Sequence, residues 1–356
     1  MAYLEIKDLQ VAYEKGNPVL DEFNLSIDEG QLVSLLGPSG CGKTTTLRSV
    51  AGFIEQSKGE ITIGGEDITG LPPNKRDIGL VFQTYALFPH LTVFENVAFG
   101  LKMRGMKGDD LLGPVEDALK MVDLGGLEYR RPGQLSGGQR QRVAVARSIV
   151  IKPKLLLFDE PLSNLDAKLR NRMRAEIRQL QQQLGITTLY VTHDQVEALA
   201  ISDRVIVMNL GKIEQDLDPE RLYNHPATPF VADFMGYENH FDATVESVNG
   251  EQAVVQAGSF TFSVALQKYE NTLSPGDKCL VYFRPDAGAL SPQESDNSVP
   301  GKILVSTFHG KSYEYIVETP LGEFMIHQWG DDQQPESESI YLSLKAQNLL
   351  ALAAPA

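Results

Sequence analysis

A chain of 356 residues supplies core material for two domains. Its net charge of −15, from 47 acidic and 32 basic side chains, argues against a general nucleic-acid binder, which needs a basic surface. No apolar run approaches the roughly 18 residues of a membrane-spanning helix, and Met1-Ala2-Tyr3-Leu4-Glu5 lacks the basic-then-apolar plan of a secretory leader. The two cysteines, Cys41 and Cys279, build neither a disulfide framework nor a metal cluster, which fits a reducing compartment. The acidity is uneven. Residues 237–356 hold 16 acidic against 6 basic side chains, while 31 and 26 precede them, so a nearly balanced first domain is expected to precede an acidic second one.

The opening alternates apolar and polar residues from Tyr3 to Tyr13, then turns at Gly16-Asn17-Pro18 into a second strand over Val19 to Ile27. Tyr13, next to the segment that follows, has a ring suited to stacking on a base. Gln31 to Ala51 is the densest signal in the chain. Leu32-Val33-Ser34-Leu35-Leu36 has the length and content of a buried strand, and a helical pattern begins at Lys43. Between them lie Gly37-Pro38-Ser39-Gly40-Cys41-Gly42. The spacing of Gly37, Gly42, Lys43 and Thr44 is that of a phosphate-cradling loop, in which glycines let successive N–H groups point inward. Lys43 then reaches β- and γ-phosphates, and the Thr44 hydroxyl ligates Mg²⁺. Cys41 invites two readings: a thiolate stabilised by the loop's N–H dipoles and shielded by nucleotide, or a small side chain filling space beneath the loop.

Ile78 to Phe82 reads as another buried strand and delivers Gln83, which is either a loop residue or one that ligates the metal or orients water. Tyr85 to Val93 is unusually apolar for a loop and fits core or a docking surface, with Tyr85, Leu87 and Phe88 expected to be exposed. Phe94 to Val122 is mostly helical, with breaks expected at Gly105–Gly108 and Gly113-Pro114. Leu135-Ser136-Gly137-Gly138-Gln139 opens a basic helix; the residues alone fit both a second anion site and an ordinary N-cap. Lys154 to Phe158 reads as a buried strand, apolar from Leu155 on, ending in Asp159 and Glu160, which are either a structural pair of exposed acids or a metal-holding aspartate and a base. Asp166 caps an amphipathic helix with an apolar face of Leu169, Met173, Ile177, Leu180 and Leu184. The strand Thr187 to Thr192 ends in His193, which is structural or a proton-linked sensor of the γ-phosphate, with Asp194 and Glu197 at capping-box spacing. Val205 to Met208 closes the sheet, and 218–236 reads as a helical linker. Beyond it, many short alternating strands, with polar loops at Ser291–Pro300 and Gly330–Ser339, argue a small barrel or sandwich.

Taken together, the loop Gly37 to Thr44, Gln83, Leu135 to Gln139, Phe158-Asp159-Glu160, Ser163-Asn164-Leu165-Asp166 and His193 resemble, in order, the ATPase subunits of ABC transporters, over essentially the whole chain. The resemblance implies an α/β P-loop NTPase over 1–235, with a RecA-like core and a helical subdomain at about 86–150, then an all-β OB-like (TOBE) regulatory domain over 236–356. It implies ATP and Mg²⁺ as cofactors, with Thr44, Gln83 and Asp159 on the metal. Glu160 becomes the general base, with His193, Gln83 and Lys43 completing the catalytic set. Tyr13 and Gly37, Pro38, Ser39, Gly40, Cys41, Gly42, Lys43, Thr44 and Thr45 hold the nucleotide. Ser136, Gly137, Gly138 and Gln139 contact the nucleotide of a second copy, in a homodimer.

Val81 to Thr92 looks like the importer branch that serves polyamines, ferric iron or sugars. The implied partners are permease subunits docking near Tyr85–Leu91 and, indirectly, an extracytoplasmic solute-binding protein, with no nucleic acid. The implied location is peripheral, on the cytoplasmic face of the inner membrane. Arg284-Pro285-Asp286 stands where the family usually has Arg-Pro-Glu. A soluble ABC protein acting away from membranes is the contrasting class; those usually carry two cassettes or a coiled-coil insertion, and this chain carries neither.

Overall fold

Leu32 to Leu36 is buried at every position, as a strand covered on both faces must be. Its polar member, Ser34, is satisfied by the Ser202 hydroxyl at 2.5 Å. The computed structural model describes residues 2–14, 17–266, 273–330 and 339–354, and the chain divides into two compact units, 1–224 and 225–356. The division falls one short helix before the 235/236 boundary expected from the sequence. Gly16 of the first expected turn and most of the expected acidic loop at Gly330–Ser339 lie outside the described residues.

The first unit runs β1 (Ala2–Glu14), β2 (Asn17–Asp28), β3 (Leu32–Leu36), α1 (Lys43–Val50), β4 (Lys58–Ile63), β5 (Glu66–Asp67) and β6 (Ile78–Val81), then α2 (Val93–Met103), α3 (Leu112–Met121) and α4 (Gly137–Ile149). β7 (Leu155–Asp159), α5 (Ala167–Leu184), β8 (Thr187–Thr192), α6 (Gln195–Ile201), β9 (Arg204–Asn209), β10 (Lys212–Leu217) and α7 (Pro219–Asn224) complete it. The central sheet has the order β10-β9-β3-β8-β7-β6. Five strands, β9 to β6 in this order, are parallel, and β10 is antiparallel at one edge. β2-β1-β4-β5 form a separate antiparallel sheet. In parallel α/β sheets the loops at the strands' carboxyl ends converge; here those loops carry Gly37, Gln83, Glu160 and His193.

The helical insert between β6 and β7 packs Val97, Leu101, Val115, Leu119, Val143 and Ile149 into one core with Phe158 and Tyr190 of the central sheet and Met173 and Ile177 of α5. Gly113-Pro114 does not break the insert, contrary to the pattern reading. Pro114 falls in the first turn of α3, where a missing N–H costs no helical bond. On α5 the stripe Met173, Ile177 and Leu180 is buried as expected, whereas Leu184 in the last turn is exposed.

The second unit opens with α8 (Pro229–Phe234), followed by β11 (Asn239–Asn249), β12 (Gln252–Ala257), β13 (Phe260–Ala265), β14 (Lys278–Phe283) and β15 (Gly288–Ser291). β16 (Ser298–Phe308), β17 (Ser312–Thr319), β18 (Gly322–Trp329), β19 (Ser339–Leu344) and β20 (Leu350–Ala353) follow. The ten strands form two antiparallel five-stranded sheets, β13-β12-β11-β14-β20 and β15-β19-β16-β17-β18, an all-β unit of the OB-like (TOBE) kind. Their inner faces share one core in which Phe241, Phe262, Phe283 and Phe324 meet ring to ring. Two asparagine amides imitate backbone between elements. Asn239 donates to the Met325 carbonyl and accepts from the Met325 N–H, both at 2.8 Å. Asn297 does the same for Ser263.

Asn239→Ala would leave both Met325 backbone groups without partners in a buried seam. We expect a loss of about 2–4 kcal/mol, read as a lower urea midpoint for the β-sheet signal of the full chain. An unchanged midpoint would show the amide bridge to be dispensable.

Candidate active site

The loop leaving β3 is shaped by what cannot fit. At Gly37 (φ 154°) a Cβ would lie 2.3 Å from the Met208 carbonyl oxygen on β9, and at Gly42 (φ 106°) one would meet Leu20 Cδ2 at 2.8 Å. α1 starts at Lys43 with no side-chain cap on its first turn, so its leading N–H groups remain available to an anion at the helix's positive end. Pro38, Ser39 and Gly40 form the crown of the loop. Lys43 folds back over it, its Nζ donating to the carbonyls of Gly37 (2.7 Å) and Pro38 (2.9 Å). The Tyr13 ring is 63% exposed, and its hydroxyl lies 3.2 Å from that of Thr45, which places an open aromatic face beside the loop. The Cys41 side chain settles its two readings. It is 2% exposed, within the core that includes Leu35, Leu47 and Met208, and its Sγ accepts from Lys43 Nζ at 3.7 Å beneath the loop. The expectation of a reactive, nucleotide-shielded thiol is therefore corrected.

Three strand ends converge on this loop. The Thr44 hydroxyl donates to Asp159 Oδ1 at 3.1 Å, and Arg48 approaches Asp159 Oδ2 at 3.7 Å. Burial pushes the Asp159 carboxyl up, against the opposing pull of Thr44 and Arg48. Glu160 follows in the left-handed region (φ 45°), its N–H donating to the Val191 carbonyl. That turn carries its side chain off the strand line, and Glu160 Oε2 lies 3.2 Å from His193 Nδ1. Gln83 at the end of β6 donates from Nε2 to Ser163 Oγ (3.2 Å), and Ser163 Oγ in turn donates to the Glu160 carbonyl (3.0 Å). Asn164 Nδ2 donates to the Gln83 carbonyl at 2.9 Å. The structure thus brings together Lys43, Thr44, Asp159, Glu160, His193 and Gln83. Ser163 and Asn164 are the joints that sequence reading had quoted only as part of a motif.

Ser136 to Gln139 stand apart. The Ser136 hydroxyl accepts from the Gln139 N–H, and Gln139 Oε1 accepts from the Ser136 N–H, a reciprocal capping box at the start of α4. The N-cap reading of these residues is realised; an anion site would use the same helix end. The apolar loop after Gln83 also departs from expectation. Tyr85 is buried at 7% exposure, not part of an open patch, whereas Leu87 and Phe88 are half-buried. Tyr85 and Ala86 both have positive φ (61° and 46°), and Arg147 on α4 pins their carbonyls at 2.8 and 2.7 Å. Asn96 on α2 holds Phe88 from both backbone groups. A larger cleft of about 710 Å³ opens at the opposite, amino ends of β7 and β8, lined by Tyr3, Pro114, Met121, Lys154, Gly185 and Thr187. Size does not mark the site here; the convergent chemistry lies at the carboxyl ends.

Comparison with known proteins bears directly on this arrangement. A family profile described as "ABC transporter" matches residues 20–163. The chain is 46% identical over 331 residues to the "Fe(3+) ions import ATP-binding protein FbpC" of Brucella abortus, covering 93% of this chain and 92% of that protein. It is 43% identical to the "Spermidine/putrescine import ATP-binding protein PotA" of Rubrobacter xylanophilus, covering 96% of each. Among solved structures, CbiO1 of Clostridium perfringens, described as part of an ABC transporter complex, superposes with a TM-score of 0.59 at 29% identity over 63% of this chain and 91% of that one. An ATP-binding cassette solved as a dimer in a post-hydrolysis state with ADP and Pi gives 0.54 at 32% identity, over 61% of this chain and 98% of that one.

The buried thiols yield a simple measurement. Cys279 is also enclosed, and burial pushes its thiol up to about 11, so little thiolate exists near neutrality. Brief maleimide treatment of the native chain, read by mass spectrometry, is expected to label neither cysteine, with both labelled in urea. Rapid native labelling of Cys41 would contradict the burial seen here.

Proposed function

The chain belongs to the ATP-binding subunits of ABC importers, which hydrolyse ATP to drive solute uptake, and on that premise we propose which of its residues do the chemistry and where its partners meet it. The observation that carries the reading is the Glu160–His193 contact at 3.2 Å, one residue beyond an Asp159 bonded to Thr44 of the phosphate loop. The loop N–H groups and the α1 terminus bind the β- and γ-phosphates, and Lys43 exchanges its loop carbonyls for phosphate oxygens. Tyr13 stacks on the adenine. Thr44 Oγ1, the Asp159 carboxylate and the Gln83 side chain are hard oxygen donors of the type Mg²⁺ takes, and a cation would offset the burial that raises Asp159. Bound there, Mg²⁺ neutralises charge on the phosphate oxygens. Glu160 accepts the proton of a water whose oxygen bonds to the γ-phosphorus as the bond to the leaving ADP oxygen breaks. His193 orients Glu160 and the γ-phosphate together.

Ser136 to Gln139 stand apart from this cluster; as membership of the family implies, they serve the nucleotide of a second copy of the chain, and ATP is hydrolysed in a homodimer. Leu87 and Phe88, the latter held by Asn96 at its backbone and by Arg147 at its ring, form the docking point for permease subunits, with Tyr85 as its buried support. The chain then sits peripherally on the cytoplasmic face of the cell membrane; among the described residues no helix is long and apolar enough to cross one. The cargo is a cation of the kind named for the relatives, ferric iron or a polyamine, delivered by a solute-binding protein. Stimulation of the reconstituted complex's ATPase by one cargo and not the other decides between them.

Replacing the base leaves the phosphate cradle intact. Glu160→Gln is expected to keep ATP affinity within a few-fold while kcat falls by about 10²-fold or more. Lys43→Ala instead weakens binding of a fluorescent ATP analogue, and EDTA stops hydrolysis until Mg²⁺ is restored. Parental turnover by Glu160→Gln would sink the assignment of the base.

A further inference from the structure

Behind the Glu160–His193 pair lies a charged cluster that the mechanism above does not use. Glu197, in the first turn of α6, is 3% exposed. Its spacing from Asp194 suggested a capping box, but only half of one forms. Asp194 Oδ1 accepts from the Glu197 N–H, while the Glu197 side chain turns inward. There Glu197 Oε2 accepts from Thr192 Oγ1 at 2.8 Å and from the Tyr190 hydroxyl at 3.2 Å. Both are residues of β8, the strand that delivers His193. The Thr192 hydroxyl also accepts from the Asp194 N–H at 3.0 Å, so the chain on either side of His193 is held through one buried carboxylate.

Arg170, in the first turn of α5, reaches the same cluster from the opposite side. Its Nη1 donates to Asp194 Oδ2 at 3.4 Å, and its Nη2 donates to the Leu165 carbonyl at 3.2 Å. Its Nε lies 4.0 Å from Glu197 Oε1, buried and without a hydrogen bond. The guanidinium and Glu197 open on a cavity of about 100 Å³ that Glu160, Ser163 and His193 also line. A buried carboxylate is retained only when paired and bonded, and here one cation answers two acids of one segment, the cap and the first turn of α6. Leu165 belongs to the loop whose Ser163 bonds the Glu160 carbonyl. Arg170 therefore spans from the Glu160 loop to the His193 strand end.

We propose that Arg170 and Glu197 are positioning residues for the Glu160–His193 pair, tying the loop 163–166 to the end of β8 so that carboxylate and imidazole shift as one unit. This rests on the reading of Glu160 as the base and His193 as its partner. It assigns the work of alignment to two side chains outside the set proposed to bind the nucleotide or accept the proton.

The test compares Arg170→Met, Arg170→Lys, Glu197→Gln, His193→Ala and the double variant Arg170→Met/His193→Ala in the full chain. It reads kcat and KM for ATP, affinity for a fluorescent ATP analogue, and Tm. Arg170→Met is expected to lower kcat about tenfold with affinity held within about twofold; Arg170→Lys restores part of the loss. In the His193→Ala background the same change costs no more than about twofold, because there is no imidazole left to position. Parental kcat in Arg170→Met overturns the proposal, as does an equal loss with and without His193, which marks a structural role. Should Arg170→Met fail to fold, the near-isosteric Glu197→Gln makes the same comparison. Glu160→Gln run alongside separates the two readings: if it is inactive while Arg170→Met is parental, only the positioning role fails.

Discussion

The approach of Gly37 to the Met208 carbonyl oxygen is the constraint on which the site depends. β3 and β9 are neighbours in the central sheet, and the loop leaving β3 must pass across the end of β9 with no room for a Cβ. The same closeness recurs at Gly42 against Leu20 and at Gly211 against the Val19 carbonyl. A loop held this tightly from below has its N–H groups turned toward the open side, and it delivers α1 with an uncapped first turn. Lys43 lies across those loop carbonyls, and Asp159, Glu160, Gln83 and His193 arrive because parallel strands end at one edge.

That edge concentrates charge at some expense to stability. Asp159 is raised by burial, and Glu160 occupies a left-handed conformation that a side chain adopts reluctantly. The bonds among Gln83, Ser163, Asn164 and Glu160 join the loops that follow β6 and β7, so a shift in either is felt at Glu160.

A related economy holds on α4. Ser136 caps its amino end, and Arg147 near its carboxyl end holds the strained Tyr85-Ala86 carbonyls. A helix of 13 residues spans about 20 Å, so one rigid rod carries both the capping-box serine and the support of the apolar loop. Burial lowers the pKa of Arg147, yet its donors are spent on carbonyls whose positive-φ residues would otherwise relax. Tyr85 is buried because this guanidinium folds the loop back onto the core.

Much of this was legible in the chain. Strand content located β3, β7 and β8, since near-continuous apolar or β-branched runs, with Ser34 the one polar member of β3, are typical of strands buried on both faces of a parallel sheet. Gly and Lys spacing located the phosphate loop, and Asp166 and Gly185 marked the limits of α5, because those signals are local. Tertiary structure decided what depends on neighbours distant in sequence. It turned the Cys41 thiol into the core and buried Tyr85 under Arg147. It also drew Glu197 away from the helix cap and onto β8. No periodicity could announce that Arg170 would meet Asp194, because a side chain's partner is chosen by where two strands end, and only the folded sheet fixes that.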